Sequence, residues 1–120
     1  MTGLFFCATM IEHRLLKSNM GIGMESKENN KIFEDLCAVL VKINDKNEMI
    51  RFMKDLCTPQ EMKALAERWL VCQLLHKGEL SYREINDLTG VSLTTITRVA
   101  RFLKVEPHHG YRSVLRKIKK

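Results

Sequence analysis

Hydroxyl-bearing and basic side chains concentrate between residues 82 and 101, where the sequence reads YREINDLTGVSLTTITRVAR. Guanidinium groups and hydroxyls are the groups with which proteins contact phosphate oxygens and the edges of bases in the major groove of DNA. The types and spacing of these residues therefore predict a nucleic-acid-binding surface.

The predicted contacts fall into three groups. Phosphate contacts, which fix the position of a protein on the duplex, are expected from Arg83, Thr95 and Thr97. Contacts to base edges are expected from Thr94, with Tyr82 and Asn86 at the edge of the groove. Further positive charge near the backbone is expected from Arg101.

Two short helices must position these side chains. Residues 81–84 (SYRE) form a capping box that opens the first helix, and Gly90 ends it. Ser92 caps a second helix that runs from Leu93 to about Leu103, before Pro107 prevents its continuation. Two capped helices joined by a tight glycine turn are the requirement of a helix-turn-helix, here at about residues 81–103.

Apolar residues in this motif are spaced to pack the two helices against each other and against the body of the protein: Ile85, Leu88, Val91, Ile96 and Val99. The opposite face of the second helix is left to Thr94, Thr95, Arg98 and Arg101. Asn86 is a departure, because motifs of this kind often place a small residue there to let the helices approach closely.

The rest of the chain also has helical spacing of its apolar residues. Helices are predicted around Ile32–Ile43 and Met49–Leu56. A longer helix follows from the capping box at Thr58 to a stop at Gly78, with Trp69 as a core residue on its apolar stripe. A last amphipathic helix follows Gly110. The predicted fold class is all-α, with about six helices.

The positive charge is confined to one half of the chain. Residues 1–56 have 8 basic and 8 acidic side chains, whereas residues 57–120 have 12 basic and 6 acidic ones, which accounts for the net charge of +6. A dense anionic partner such as nucleic acid fits this asymmetry, and a solvated basic surface is the alternative.

Metal and catalytic chemistry find little support in the sequence. The cysteines (Cys7, Cys37, Cys57 and Cys72) include no CxxC pair, and the histidines (His13, His76, His108 and His109) form no HExxH motif. No paired carboxylates, phosphate-binding glycine loop or nucleophile–base pair is evident, so we do not expect an enzyme. Free thiols indicate a reducing compartment and hence the cytoplasm.

The N-terminal residues stand apart from this pattern. Residues 1–28 are expected to be a flexible arm or an upstream start extension, with Met20 or Met24 as alternative starts, ahead of a domain at residues 29–120. The apolar run Gly3–Ile11 is shorter than the roughly 20 residues of a bilayer span and lacks the pattern of a signal peptide. No membrane partner is expected.

The segment Cys57–Lys104, CTPQEMKALAERWLVCQLLHKGELSYREINDLTGVSLTTITRVARFLK, closely resembles the Trp repressor family. Three blocks support the resemblance: TPxExxAL at the start of the long helix, LLxxGExSxRE leading into the motif, and TITR in the recognition helix. The resemblance implies a Trp-repressor-like bundle and an intertwined homodimer. Its recognition helices would lie about 34–36 Å apart in successive major grooves of a pseudo-palindromic operator.

The resemblance also implies a corepressor pocket between the long helix and the recognition helix. The matching residues are Arg68 and Arg98, with Thr58 contributed by the partner chain. Val99 and Phe102 replace the glycine and serine of tryptophan-responsive members and would fill much of the space that an indole needs. We therefore expect no required cofactor and no binding of L-tryptophan, with Phe102 as a built-in filler. A different small-molecule corepressor stays compatible with these residues.

Together these features predict a sequence-specific DNA-binding transcriptional regulator, of the repressor type, that binds double-stranded DNA as a homodimer. A helical protein–protein interaction module with a structural helix-turn-helix is the alternative.

Overall fold

The structure is a computed structural model that describes residues 26–119. Six α-helices and no strands are found in this range: α1 Ser26–Leu40, α2 Lys46–Leu56, α3 Pro59–Lys77, α4 Tyr82–Thr89, α5 Leu93–Lys104 and α6 Gly110–Ile118. The predicted all-α class is confirmed. The predicted N-terminal arm lies outside the described residues, except that residues 26–28 form the first turn of α1. None of the helices in residues 26–119 has the length and apolar character needed to cross a membrane.

The chain divides into two compact units between Arg51 and Phe52, within α2. The described part of the first unit contains α1, a turn and the first half of α2. The side chain of Asp45 opens α2 by accepting a hydrogen bond of 2.9 Å from the backbone N–H of Glu48. No residue of α1 is buried, and Phe33 and Val41 are 64% and 82% exposed.

In the second unit, the second half of α2 is followed by a complete capping box at the start of α3, as predicted. The Thr58 hydroxyl accepts from the backbone N–H of Glu61 at 3.1 Å, and the Glu61 carboxylate accepts from the N–H of Thr58 at 2.9 Å. The hydrogen bond from the Thr58 backbone holds the pKa of Glu61 below its ordinary value, because it stabilises the ionised carboxylate. These bonds satisfy backbone donors that have no partner inside the first turn of α3.

The core of the second unit forms where α3, α4 and α5 meet. Its fully buried side chains are Val71 and Cys72 of α3, Ile85 of α4, and Ile96 and Val99 of α5. Burial raises the pKa of the Cys72 thiol to about 11, as is typical of a cysteine that packs as a small apolar residue. Trp69 was expected in the core, and it is half-buried and packs against the edge of this cluster.

The predicted packing of the motif is wrong for Leu88, because its side chain is 68% exposed. The inner face of α4 runs instead through Ile85 and Thr89, which are four residues apart and therefore adjacent on one face. The Thr89 hydroxyl donates to the carbonyl of Ile85 at 2.7 Å and accepts from the N–H of Val91 at 3.1 Å. This places Leu88 on the solvent side of a helix only eight residues long.

Replacement of Gly90 by alanine tests the backbone of the turn. Gly90 has φ 76°, and a Cβ there would meet no atom within 4 Å, so the substitution acts through backbone strain alone. We expect Gly90→Ala to lower the free energy of unfolding by about 1–2 kcal/mol, measured by urea denaturation. Gly110→Ala is the matched control, since Gly110 also has open space but no positive φ. An equal loss in the two variants would contradict the assignment of strain to the turn.

Candidate nucleic-acid interface

The turn between α4 and α5 is held by hydrogen bonds among Asn86, Gly90 and Val91. The N–H of Gly90 donates to the carbonyl of Asn86 at 2.8 Å, in the left-handed conformation that glycine adopts at low cost. The side-chain amide of Asn86 donates to the carbonyl of Val91 at 2.7 Å. Asn86 is half-buried, so its side chain binds the turn of the motif itself.

This contact explains how the motif accommodates Asn86 where a small residue is common. The side chain satisfies the Val91 carbonyl, which would otherwise lose a partner when the helices close on each other. Sequence reasoning placed Asn86 at the edge of the groove and missed this bond. The signal available in the sequence was the spacing: the amide of Asn86 lies five residues before Val91, which directly follows the turn glycine.

Burial determines which side of α5 faces the core, and the opposite side is therefore exposed. Ile96 and Val99 are 0% and 1% exposed, and Val99 packs beside Ala100 and Leu103. The exposed residues of α5 are Leu93, Thr94, Thr97, Arg98, Arg101 and Lys104, and we call Thr94, Thr97, Arg98 and Arg101 the outer face of α5. The structure thus brings four of the predicted contact and pocket residues onto one accessible surface.

The threonine hydroxyls of α5 differ in how much of their hydrogen-bonding capacity is used within the protein. Thr95 is half-buried, and its hydroxyl accepts from that of Ser92 at 3.1 Å. The hydroxyl of Thr97 donates to the carbonyl of Leu93 at 2.8 Å. Thr94 is exposed, and its hydroxyl forms no hydrogen bond within residues 26–119. Its full donor and acceptor capacity therefore faces outward.

Tyr82 and Arg83 lie in the first turn of α4, ahead of the outer face in the chain. The capping box is again complete, with the Ser81 hydroxyl bound to the N–H of Glu84 at 3.2 Å and the Glu84 carboxylate bound to the N–H of Ser81 at 3.0 Å. Both Tyr82 and Arg83 are exposed. Arg83 forms no ion pair within residues 26–119, so its charge is open to an external anion.

The two arginines of the outer face are oriented by Phe102. The guanidinium carbon of Arg98 lies 4.4 Å from the centroid of the Phe102 ring, and that of Arg101 lies 5.2 Å from it. Both distances are within the range of cation–π attraction. The Nε of Arg101 also lies 3.3 Å from a carboxylate oxygen of Glu106. These contacts restrict the guanidinium groups before any ligand binds.

A cavity of about 490 Å³ lies beside this cluster, between α3, α5 and α6. Four of the five predicted pocket residues line it: Arg68, Arg98, Val99 and Phe102. Thr58 does not line it; the resemblance assigns its contribution to a partner chain, and in its own chain it caps α3. The Phe102 ring stacks on His108 with centroids 6.0 Å apart and planes inclined by 10°.

Sequence reasoning missed the remaining residues of the cavity lining, which are Leu65, Trp69, His108, Gly110, Tyr111 and Val114. Tyr111 and Val114 belong to the amphipathic helix predicted after Gly110, but nothing local shows which helices its apolar face contacts. Burial raises the pKa of Tyr111 above its ordinary value, in spite of the nearby positive charges of Arg68 and Arg98. The cavity lining is therefore mostly apolar, and it includes the guanidinium-bearing residues Arg68 and Arg98.

The fold and the site together define a class of protein. A helix pair joined by a left-handed glycine, one side buried in a helical core and the other bearing hydroxyls and guanidinium groups, is a helix-turn-helix domain.

Comparison with known proteins places this domain in a family. Residues 28–119 match the family described as Trp repressor protein, and the chain belongs to that family. It is 36% identical over 80 residues to a Bacillus subtilis protein named Uncharacterized protein YerC, which covers 67% of this chain and 72% of that protein. A Trp operon repressor homolog of Aliivibrio salmonicida is 35% identical over 72 residues, 60% of this chain and 67% of its own. Another, from Vibrio campbellii, is 43% identical over 61 residues, 51% of this chain and 59% of its own.

Replacement of Asn86 by alanine tests whether this side chain holds the turn. Loss of the bond to Val91 leaves a half-buried carbonyl without its partner, so we expect the free energy of unfolding to fall by about 1 kcal/mol. Urea denaturation measures the change. Asp87→Ala, at the exposed neighbouring position, is the control and should shift stability by less than about 0.5 kcal/mol. Equal unfolding midpoints for Asn86→Ala and the parent protein would show that the bond has no structural role.

Proposed function

We propose that the protein is a sequence-specific DNA-binding regulator of transcription, that it acts as a repressor, and that it binds a pseudo-palindromic operator as a homodimer. The observation that supports this most directly is the division of α5. Ile96 and Val99 are buried while Thr94 and Arg98 are exposed, so the helix offers a polar, cationic side of suitable width for the major groove. The names of the Vibrio and Aliivibrio relatives agree with such a role.

The contacts in this proposal follow from the hydroxyls and charges of the motif. Thr94 has unused hydrogen-bonding capacity and is assigned to base edges. Arg83, at the start of α4, is assigned to a phosphate, and Arg101 provides charge near the backbone. Thr95 and Thr97 are assigned to phosphates. The Thr95 hydroxyl accepts from Ser92 and keeps its own donor, whereas the Thr97 hydroxyl donates to Leu93 and must share or exchange that bond to contact a phosphate. Binding would block access of other proteins to the same DNA.

Exposed apolar side chains support the homodimer. In the first unit Phe33 and Val41 are exposed, and in the second unit Leu56, Leu65 and Leu70 are each exposed by more than two fifths. Apolar surface of this extent is typical of residues covered by a partner. A two-fold partner would cover them and would place two recognition helices about 34–36 Å apart, one turn of the duplex. With free thiols at Cys37 and Cys57, we place this regulator in the cytoplasm.

We further propose that DNA binding does not require L-tryptophan. Arg98, one of the two arginines assigned to a corepressor, already lies over the Phe102 ring at 4.4 Å. His108 stacks against the same ring, so an aromatic group of the chain itself occupies part of the region that an indole would need. Val99 is almost completely buried, so its branched side chain is packed in the core at the cavity wall.

A titration of operator DNA tests the proposal. Fragments bound by the full-length protein are first selected from the source genome, and their affinity is then measured by fluorescence anisotropy at several salt concentrations. We expect two chains per duplex, and an affinity that falls steeply with salt because phosphate contacts release counterions. Arg83→Ala should weaken binding to all duplexes and reduce the salt slope by about one unit, as expected for one lost phosphate contact.

Lys63→Ala provides the control, because Lys63 is an exposed lysine of α3 outside the motif and pairs with Glu67 at 3.8 Å. It should leave the slope unchanged. Identical salt slopes for Arg83→Ala and the parent protein would contradict a phosphate contact at Arg83. The absence of any salt-dependent binding to genomic fragments would contradict the regulator and favour an interaction module.

Thermal unfolding with and without L-tryptophan tests the role of Phe102. The melting temperature of the parent should not change, since a ligand stabilises a fold only to the extent that it binds. Phe102→Ala removes the ring and should convert the protein to one whose melting temperature rises with added L-tryptophan. Leu93→Ala, an exposed position on the same helix, is the control and should not respond. A clear rise for the parent would show that Val99 and Phe102 do not obstruct the pocket.

A further inference from the structure

A second cavity, of about 400 Å³, lies between the last turns of α3 and α5 and one face of α6. Its apolar base consists of the buried side chains of Leu75, Leu103 and Leu115. Every other lining residue is basic, and none is acidic: His76, Lys104, Arg112, Arg116 and Lys119. We call this cavity the basic cleft. It shares no residue with the cavity beside Phe102, and its residue Lys104 lies on α5, three residues after Arg101 of the outer face.

Arg112 is held in place within the basic cleft. Its Nε donates to the carbonyl of Leu103 at 2.8 Å, and its Nη2 donates to the carbonyl of Lys104 at 2.9 Å. Both acceptors are neutral, so the positive charge of the guanidinium is not cancelled by a carboxylate. A guanidinium has five N–H donors, which leaves three for a molecule in the cleft.

The other basic residues of the cleft also lack a counter-charge. The ion pairs within residues 26–119 involve Lys63, Lys77 and Arg101, and none involves a residue of the basic cleft. Lys104, Arg116 and Lys119 are exposed. Like charges gathered around one cavity repel each other unless an anion lies between them.

The dipoles of the neighbouring helices do not balance this charge. Each helix C-terminus is equivalent to about half a negative charge, so the ends of α3, α5 and α6 supply about one and a half. The cleft has four lysine and arginine residues, namely Lys104, Arg112, Arg116 and Lys119. Helix capping therefore accounts for part of the basic character and leaves a net positive cavity.

We propose that the basic cleft is a binding site for a small molecule that carries phosphate groups. A fixed guanidinium with free donors suits phosphate oxygens, and the surrounding lysines add charge without directional demands. The leucine base accepts an apolar or planar portion of the same molecule, as in a nucleoside diphosphate. The volume is in the range of small-molecule sites, and a concave cavity suits a compact ligand better than the convex backbone of a duplex. This site does not depend on the proposed DNA-binding function.

Calorimetric titration of the full-length protein with sodium pyrophosphate tests the phosphate site, and ADP in a second titration tests the leucine base. The double variant Lys104→Gln with Lys119→Gln removes two charges from the cleft. The control Lys63→Gln with Lys117→Gln removes two charges from exposed lysines outside it. We expect the parent and the control to bind pyrophosphate with similar affinity and the cleft variant to bind it about tenfold or more weakly, and we expect ADP to bind more tightly than pyrophosphate.

Three results would overturn the proposal: no heat of binding for the parent at millimolar pyrophosphate, equal losses in the cleft and control variants, or unchanged affinity in the cleft variant. Titration of the same variants with operator DNA separates the two kinds of phosphate. If the cleft variant alone loses DNA affinity and salt dependence, then the cleft contacts the DNA backbone and the small-molecule site is rejected. Unchanged DNA binding together with weakened pyrophosphate binding supports the small-molecule site.

Discussion

The burial of Ile96 and Val99 against α3 and α4 is the contact on which the geometry of the helix-turn-helix depends. Two large apolar side chains with almost no exposure stabilise the fold by about 2 kcal/mol each and fix the rotation of α5 about its own axis. Once that rotation is set, the helical repeat places Thr94, Thr97, Arg98 and Arg101 on the opposite side. The polar surface of the motif is thus a consequence of apolar packing beneath it.

The turn makes that packing compatible with a short connection. Gly90 turns the chain in the left-handed region, and the side chains of Asn86 and Thr89 bind the carbonyl and the N–H of Val91, the residue that follows it. Each of these bonds joins α4 to the residues just before α5. These few residues therefore set the angle between α4 and α5. Both helices pack against Val71 and Cys72 of α3.

Much of this could be predicted from the sequence, because the decisive signals are local. Both capping boxes, the two left-handed glycines and the inward face of α5 depend on residues within one or two turns of each other, and the structure agrees with them. The errors and omissions have a tertiary origin. Leu88 has the right spacing for the core but loses that place to Thr89, and the contributions of His108 and Tyr111 to the cavity depend on where α6 packs. The role of Asn86 required knowledge of where the Val91 carbonyl points.

The contact between Arg98 and Phe102 connects two surfaces of the domain. The guanidinium of Arg98 belongs to the outer face of α5, and the Phe102 ring that it contacts borders the cavity. A molecule that enters the cavity and moves the ring must also change the freedom of that guanidinium. Thermodynamic linkage then requires reciprocity: whatever factor the cavity occupant applies to the affinity for nucleic acid, nucleic acid applies to the affinity for the occupant. A substitution at position 102 would therefore change the cavity wall and the support of the Arg98 guanidinium together.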